Sequence, residues 1–244
     1  MKAVILAAGY ATRLYPHTLN FPKPLLSIAG KPLLQYIVEQ ITVLSEVDEI
    51  YIVTNNKFFQ HFVNWKENFS CNTSIVIVND QTTSPENRLE AIGDLNFVIE
   101  NQQVDDDVLV VGGDNLFDGG LDYFLDFFNN KGSTILLKDV LSKELASLYG
   151  IVSLNNENKI TSFVEKPSNP ESTLASTLIY ALKKEHLHFV KKSLLDGALR
   201  AGDFIAYLSG KVPVYGQTLS GGWFDIGNFE QLKLAEEKLM VETK

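Results

Sequence analysis

The chain has 244 residues, of which 45% are hydrophobic and 21% charged, enough for a self-sufficient core. Its net charge of −9 argues against nonspecific nucleic-acid binding. A single cysteine, Cys71, excludes an internal disulfide and a Cys-based zinc cluster. No apolar run approaches the roughly 20 residues needed to span a bilayer, so the expected location is the cytoplasm. The acidic balance is uneven: residues 1 to 38 carry Lys2, Arg13, Lys23 and Lys31 and no Asp or Glu. That segment is a local place for an anion, or a chance run of four cations.

Met1 to Ala8 faintly imitates a signal peptide, but its apolar core is too short. Val4-Ile5-Leu6 instead reads as a strand buried on both faces, ended by Gly9. Pro32 opens a helical pattern through Leu33, Ile37, Ile41 and Leu44. Strands are expected at Glu49 to Thr54, Ser74 to Val78, Val108 to Val111 and Thr134 to Asp139. Helices are expected at Asn56 to Phe69, Leu89 to Glu100 and Leu121 to Asn129. This alternation means βαβ units and a mostly parallel sheet, with ligands beyond the carboxyl ends of its strands. The loops at Gly9, Asn79 to Asn87 and Gly112 to Asp118 then share one functional edge.

After residue 139 the pattern changes. Tyr149 to Leu154 and Lys159 to Glu165 read as a hairpin, so antiparallel strands join the sheet. Further strands are expected at Ser176 to Leu182 and Lys211 to Tyr215, and a helix at Asn228 to Val241. The domain expectation is one unit over 1–244. Residues 1–139 form a nucleotide-binding half, 140–227 a sugar-phosphate half and 228–244 a C-terminal helix. No internal repeat or appended β-helix is read.

Four segments carry chemistry. In Leu6-Ala7-Ala8-Gly9-Tyr10-Ala11-Thr12-Arg13, three small residues let the backbone approach a ligand, and loop amides can point at phosphate oxygens. Arg13 adds a planar donor fork, and Lys23 a compact charge between Pro22 and Pro24. Neither a Walker A loop nor the dinucleotide fingerprint is present. The plain alternative is a glycine turn with surface cations.

Asp114 follows Gly112-Gly113 at the carboxyl end of a buried strand, a place for Mg²⁺ or for a turn cap. Asp105-Asp106-Asp107 precede that strand, at the other end of the sheet, and read as a solvated turn. Asp225 lies in the apolar, glycine-flanked stretch Gly221 to Gly227 and needs a partner. A metal shared with Asp114 would supply one; capping the last helix is a task Asn228 can also perform. Glu165-Lys166-Pro167 could bind a polyol and a phosphate, or form a surface ion pair.

In order and spacing, Leu6 to Arg13, Pro22-Lys23-Pro24, Gly113-Asp114, Tyr149-Gly150, Glu165-Lys166-Pro167 and Trp223 to Gly227 resemble the nucleotide-sugar pyrophosphorylases, of the glucose-1-phosphate thymidylyl/uridylyltransferase kind. The resemblance covers residues 1 to about 235. It implies an α/β, Rossmann-like nucleotidyltransferase fold, a glycosyltransferase-A-like three-layer sandwich with a mixed, mostly parallel sheet. The implied reaction is NTP + sugar 1-phosphate to NDP-sugar + pyrophosphate, with Mg²⁺ as cofactor.

Residue by residue, the resemblance assigns Arg13 and Lys23 to catalysis. It assigns Leu6, Ala7, Ala8, Gly9, Gly93 and Gly113 to the nucleotide. Gly150, Glu165, Lys166 and Thr177 fall to the sugar phosphate, and Asp114 and Asp225 to the metal. Implied partners are the two small-molecule substrates only, in a monomer or small homo-oligomer. Three residues depart from the pattern. Ala11 replaces a second loop glycine, Glu90 enters a base-binding turn, and Leu178 takes a small residue's place beneath the sugar. They keep open a weakly catalytic nucleotide-sugar-binding or regulatory protein; within the transferase class, another phosphorylated acceptor such as phosphocholine stays open as well.

Overall fold

The computed structural model describes residues 1–242, and the side chains of residues 1–238. Residues 243–244 of the expected C-terminal helical segment lie outside the described residues. In chain order the elements are β1 (Lys2–Leu6), β2 (Ser27–Ile28), β3 (Lys31–Pro32), α1 (Leu33–Thr42), β4 (Glu49–Thr54), α2 (Phe59–Glu67) and β5 (Ser74–Asn79). There follow α3 (Glu90–Asn101), β6 (Val108–Gly112), β7 (Asn115–Phe117), α4 (Asp122–Lys131), β8 (Thr134–Asp139) and α5 (Lys143–Ala146). The chain continues with β9 (Gly150–Leu154), β10 (Ile160–Glu165), β11 (Leu174–Leu182), α6 (His188–Leu195), α7 (Ala201–Ser209), β12 (Tyr215–Thr218), β13 (Trp223–Asp225) and α8 (Phe229–Glu242).

One nine-stranded mixed sheet holds the molecule together, in the order β10-β9-β11-β6-β1-β4-β5, with β8 on β11 and β12 on β8. Strands β6, β1, β4 and β5 run parallel. The antiparallel strands join at β11, which pairs with β6, β8 and β9.

The central strands are apolar on both faces because helices cover both. Ile5, Ile52, Leu109 and Val111 pack with Ile37 and Ile41 of α1, Phe62 of α2, and Phe124 and Phe128 of α4. Val4, Val53, Val108 and Val110, one position out of phase, pack with Ile92, Leu95 and Val98 of α3, Val190 of α6, and Phe204 and Leu208 of α7. This is period-2 alternation with two buried faces, and it gives the expected three layers. Each such side chain, fully buried, contributes roughly 1.5–3 kcal/mol of transfer free energy.

Two expectations change. The strand expected at Lys211 to Tyr215 begins where that range ends, at Tyr215. The N–H groups of Lys211 and Val212 both return to Leu208 O and close α7, and Pro213 has no N–H for a ladder. The aspartates before β6 do lie at the far end of the sheet, but they form a charged clasp more than a solvated turn. The Asp107 carboxylate accepts from Lys183 Nζ at 3.0 Å and Lys184 N at 2.8 Å, and Asp106 lies 3.3 Å from the N-terminal amine. Helices α6 and α7 are additions to the expected elements. Among the described residues, no helix is long and apolar enough to cross a membrane.

Candidate active site

The carboxyl ends of β1, β4 and β6 meet at one edge. Gly113 N donates to Leu6 O at 2.9 Å, and a Cβ on Gly113 would lie 2.8 Å from that same oxygen. Only glycine lets the two loops touch. Asn55 donates to Ala8 O at 2.8 Å and fixes the turn after β1. Gly9 is exposed, with open space in front of it. Ala11 does keep the glycine-like backbone, at φ 48°, and Thr18 Oγ1 donates to its carbonyl at 2.8 Å.

The resulting cleft has a volume of about 540 Å³ and is lined by Leu6, Ala7, Gly9, Arg13, Lys23 and Gly113, among others. Ala8 is buried behind it. Gly93 is in neither cleft; it sits in α3, where a Cβ would meet Leu89 Cβ at 2.8 Å.

Lys23 reaches across to the second half of the site. Pro22 and Pro24 frame a single tight turn, and the Lys23 ammonium donates to Asp114 Oδ2 and to Ile226 O, each at 2.8 Å. Asp114 and Asp225 are brought together by β7 and β13, which pair antiparallel with Asp225 opposite Asn115. Ile226 N also donates to Asp114 O at 3.0 Å, and Trp223 Nε1 donates to Asn115 Oδ1 at 2.6 Å. Burial, and then the charge of Asp114, push the Asp225 carboxyl up to about 6; Lys23, Lys166 and Arg13 pull the other way. Asn228 accepts from Gln231 N at 2.9 Å and so caps α8, which leaves Asp225 free of that task.

A second cleft, about 310 Å³, lies on the other side of the two carboxylates. Gly150, Glu165, Lys166 and Thr177 all line it. Gly150 and Glu165 are paired across the β9–β10 ladder. Phe163 lies between Gly150 and Gly202, and a Cβ on either glycine would come within 2.6 Å of its ring. The same Cβ atoms would lie 3.0 and 3.2 Å from Glu165 Oε2, so this packing sets where the carboxylate sits. Thr177 is buried, and its hydroxyl donates to Leu136 O at 2.8 Å. Leu178 occupies a break in the β11–β8 register at φ 57°, a bulge that turns its side chain to the cleft.

Some lining residues were given no role from the sequence. Arg200, before α7, adds a second cation to Lys166. The rings of Tyr149 and Trp223, both within the resemblance motifs, stand 5.2 Å apart at the wall. Arg88 lines the first cleft. Behind that cleft, Asp80 and Asp94 are buried against each other, only 4% and 6% exposed. Burial raises both, and Asp94, with Asp80 beside it, is pushed up to about 8. Thr82 donates twice to Asp80 Oδ1, and Asp94 Oδ1 has no hydrogen-bond partner. Asp94 was legible in principle: Ala91, Asp94 and Val98 share the apolar face of α3.

The arrangement is therefore two clefts, each with cations, meeting at a wall of Glu90, Asp114 and Asp225. The family model for nucleotidyl transferases matches residues 2–242, and the chain belongs to that family. Over 234 residues it is 33% identical to the bifunctional protein GlmU of Methanocaldococcus jannaschii, covering 93% of this chain and 51% of that protein. Over 247 residues it is 32% identical to UTP–glucose-1-phosphate uridylyltransferase of Synechocystis, covering 93% of this chain and 60% of that one. The chain thus spans about half to three fifths of the length of these curated relatives. The fold also matches a solved UDP-glucose pyrophosphorylase complexed with UDP-glucose, with a TM-score of 0.83, 21% identity, and coverage of 99% of this chain and 98% of that one.

Proposed function

We propose that this protein is a sugar-phosphate nucleotidylyltransferase that joins an NTP to a sugar 1-phosphate, releases pyrophosphate and uses Mg²⁺. The observation that carries the reading is the shared wall: Asp114 and Asp225 stand between a cleft lined by Arg13 and Lys23 and a cleft lined by Lys166 and Arg200. Two phosphates, one from each side, would meet there.

The residues present fit the metal. Two carboxylates are the hard oxygen donors that Mg²⁺ takes, with phosphates and water completing its shell. A cation already stands at one of them, the Lys23 ammonium on Asp114. When bound, the ion would supply Lewis-acid stabilisation of charge at the α-phosphate.

The remaining chemistry falls to the chain. The acceptor phosphate is already ionised, so no strong general base is needed. Catalysis rests on alignment and on neutralising charge as it moves to the leaving group. Arg13 and Lys23 hold the phosphates of the NTP, and the turn at Gly9 lets its backbone approach them. Glu165 accepts from acceptor hydroxyls, Gly150 leaves room beside it, and Lys166 draws the acceptor phosphate toward the wall. Nucleotides and sugar phosphates are cytoplasmic metabolites, consistent with an enzyme of that compartment.

One observation favours a second acceptor class. Tyr149 and Trp223, their ring centroids 5.2 Å apart, line this cleft together with Leu178, an aromatic setting that also suits a phosphorylated ammonium compound such as phosphocholine. A panel of five NTPs against sugar 1-phosphates and phosphocholine, read by pyrophosphate release with and without Mg²⁺, tests both. Metal-dependent release with a sugar 1-phosphate is expected. No release with any pair would leave a binding protein.

A further inference from the structure

Arg88 and Glu90 have no part in the transfer as proposed. Arg88 lines the nucleotide cleft, and Glu90, the first residue of α3, lines both clefts beside Asp114 and Asp225. Both the Nε and the Nη2 of Arg88 lie 2.6 Å from the same oxygen, Glu90 Oε1. Both side chains remain partly exposed, so water and salt screen the pair and an anion can reach it.

Glu90 holds this position at a backbone cost. Its φ is 61°, where the Cβ of an L-residue crowds the following carbonyl. Glycine adopts that conformation without strain. A strained residue at a ligand cleft points to a task for its side chain.

The rest of the cleft indicates what that task is. Lys23 is tied to Asp114 at 2.8 Å, as Arg88 is to Glu90. Among the described residues, Arg13 has no carboxylate partner. The formal charges of Arg13, Lys23 and Arg88 are matched by those of Glu90, Asp114 and Asp225. A polyanionic ligand can engage Arg13 directly, but it gains Lys23 and Arg88 only by taking them from Asp114 and Glu90. A metal on Asp114 would free Lys23; the ligand itself must free Arg88.

We propose that Arg88 is a further phosphate-binding residue of the nucleotide cleft, and that Glu90 is its built-in competitor, a carboxylate that occupies the guanidinium until a phosphate displaces it. The nature of the ligand rests on the nucleotidyl-transfer reading. Carboxylate and phosphate both match the guanidinium fork, so the exchange trades one charge-assisted pair for another. Glu90 thereby weakens every anion at this place and favours those with enough phosphates to engage Arg13, Lys23 and Arg88 together.

The test uses the full chain with Glu90→Gln, Arg88→Ala in the Glu90→Gln background, and Glu90→Gly. Each is titrated calorimetrically with inorganic tripolyphosphate in magnesium buffer. Glu90→Gln should bind about tenfold tighter than the parent, and adding Arg88→Ala should remove that gain. Glu90→Gly removes the same charge together with the strained backbone. It should bind like Glu90→Gln, which guards against a folding artefact in either variant. Equal binding by Glu90→Gln and the double variant overturns the assignment of Arg88. No gain in Glu90→Gln or Glu90→Gly overturns the competitor role. Pyrophosphate release separates the two readings. Arg88-dependent binding without release from any NTP and acceptor sinks the transferase and leaves Arg88 an anion ligand. Release without any Arg88-dependent binding does the reverse.

Discussion

The two clefts that meet at Asp114 and Asp225 are built on different plans. The proposed nucleotide cleft is made mainly of turns following β1 and β6 and of the Lys23 segment, and two of its cations, Lys23 and Arg88, are paired with its own carboxylates. The acceptor cleft draws on β9, β10, β11, α7 and β13, and much of its wall is shape: Phe163 between two glycines, Leu178 on a bulge, Tyr149 beside Trp223. On the proposed function, the first cleft would recognise charge that any NTP carries, and the second would select its acceptor by volume.

The largest effect is expected at the wall that both plans share. Asp114→Asn or Asp225→Asn should lower turnover by about a thousandfold while the circular-dichroism spectrum stays that of the parent. Near-normal rates in both variants would remove the metal assignment. A smaller effect should separate the clefts. Gly202→Ala places a Cβ 2.6 Å from a Phe163 ring that is already packed tightly against Gly150. Glu165 must then shift, so the acceptor KM should rise about tenfold with NTP affinity unchanged. Phe163→Leu added to Gly202→Ala should recover part of the loss; an equal loss of NTP affinity would contradict separate construction.

The smallest effect lies behind the nucleotide cleft, at Asp80 and Asp94. Asp94 is pushed up to about 8 by burial first and by Asp80 second, whereas an unfolded Asp titrates near about 4. Between those values the folded protein holds more protons than the unfolded chain, so stability falls as pH rises and levels off above the folded value. Asp94→Asn removes this slope. Its stability in urea should gain steadily on the parent from about pH 5 to about pH 8 and keep that gain above. A gap that does not widen with pH would exclude a proton retained by the pair.

The same contrast explains what the sequence made legible. Leu6 to Gly9, Asp114 and the βαβ core are local patterns: a buried strand ends, small residues follow, and the loop lands on the ligand edge. The nucleotide half could therefore be read almost element by element. Arg200 and Gly202 carry no local signal. They matter because α7 packs on β10, more than thirty residues earlier in the chain, and α7 itself was not foreseen. Gly93 illustrates the converse: a glycine near the expected turn serves packing against Leu89 inside α3. The three departures, Ala11, Glu90 and Leu178, turn out to share positive φ values of 48°, 61° and 57°. The backbone keeps a glycine-like path at each, and only the side chains are new. Residue identity told where the pattern changed, but not that the path had been kept.

The pairing of β13 with β7 also has a consequence for how the protein is made. At roughly 5–20 residues per second of synthesis, Asp225 follows Asp114 by on the order of ten seconds. Until the last strand docks, the nascent chain has the nucleotide loops and most of the sheet but only half of the carboxylate pair. Under the proposed function, the carboxylate pair would be completed late, by the arrival of one short strand from more than a hundred residues down the chain, after most of the sheet has been synthesised.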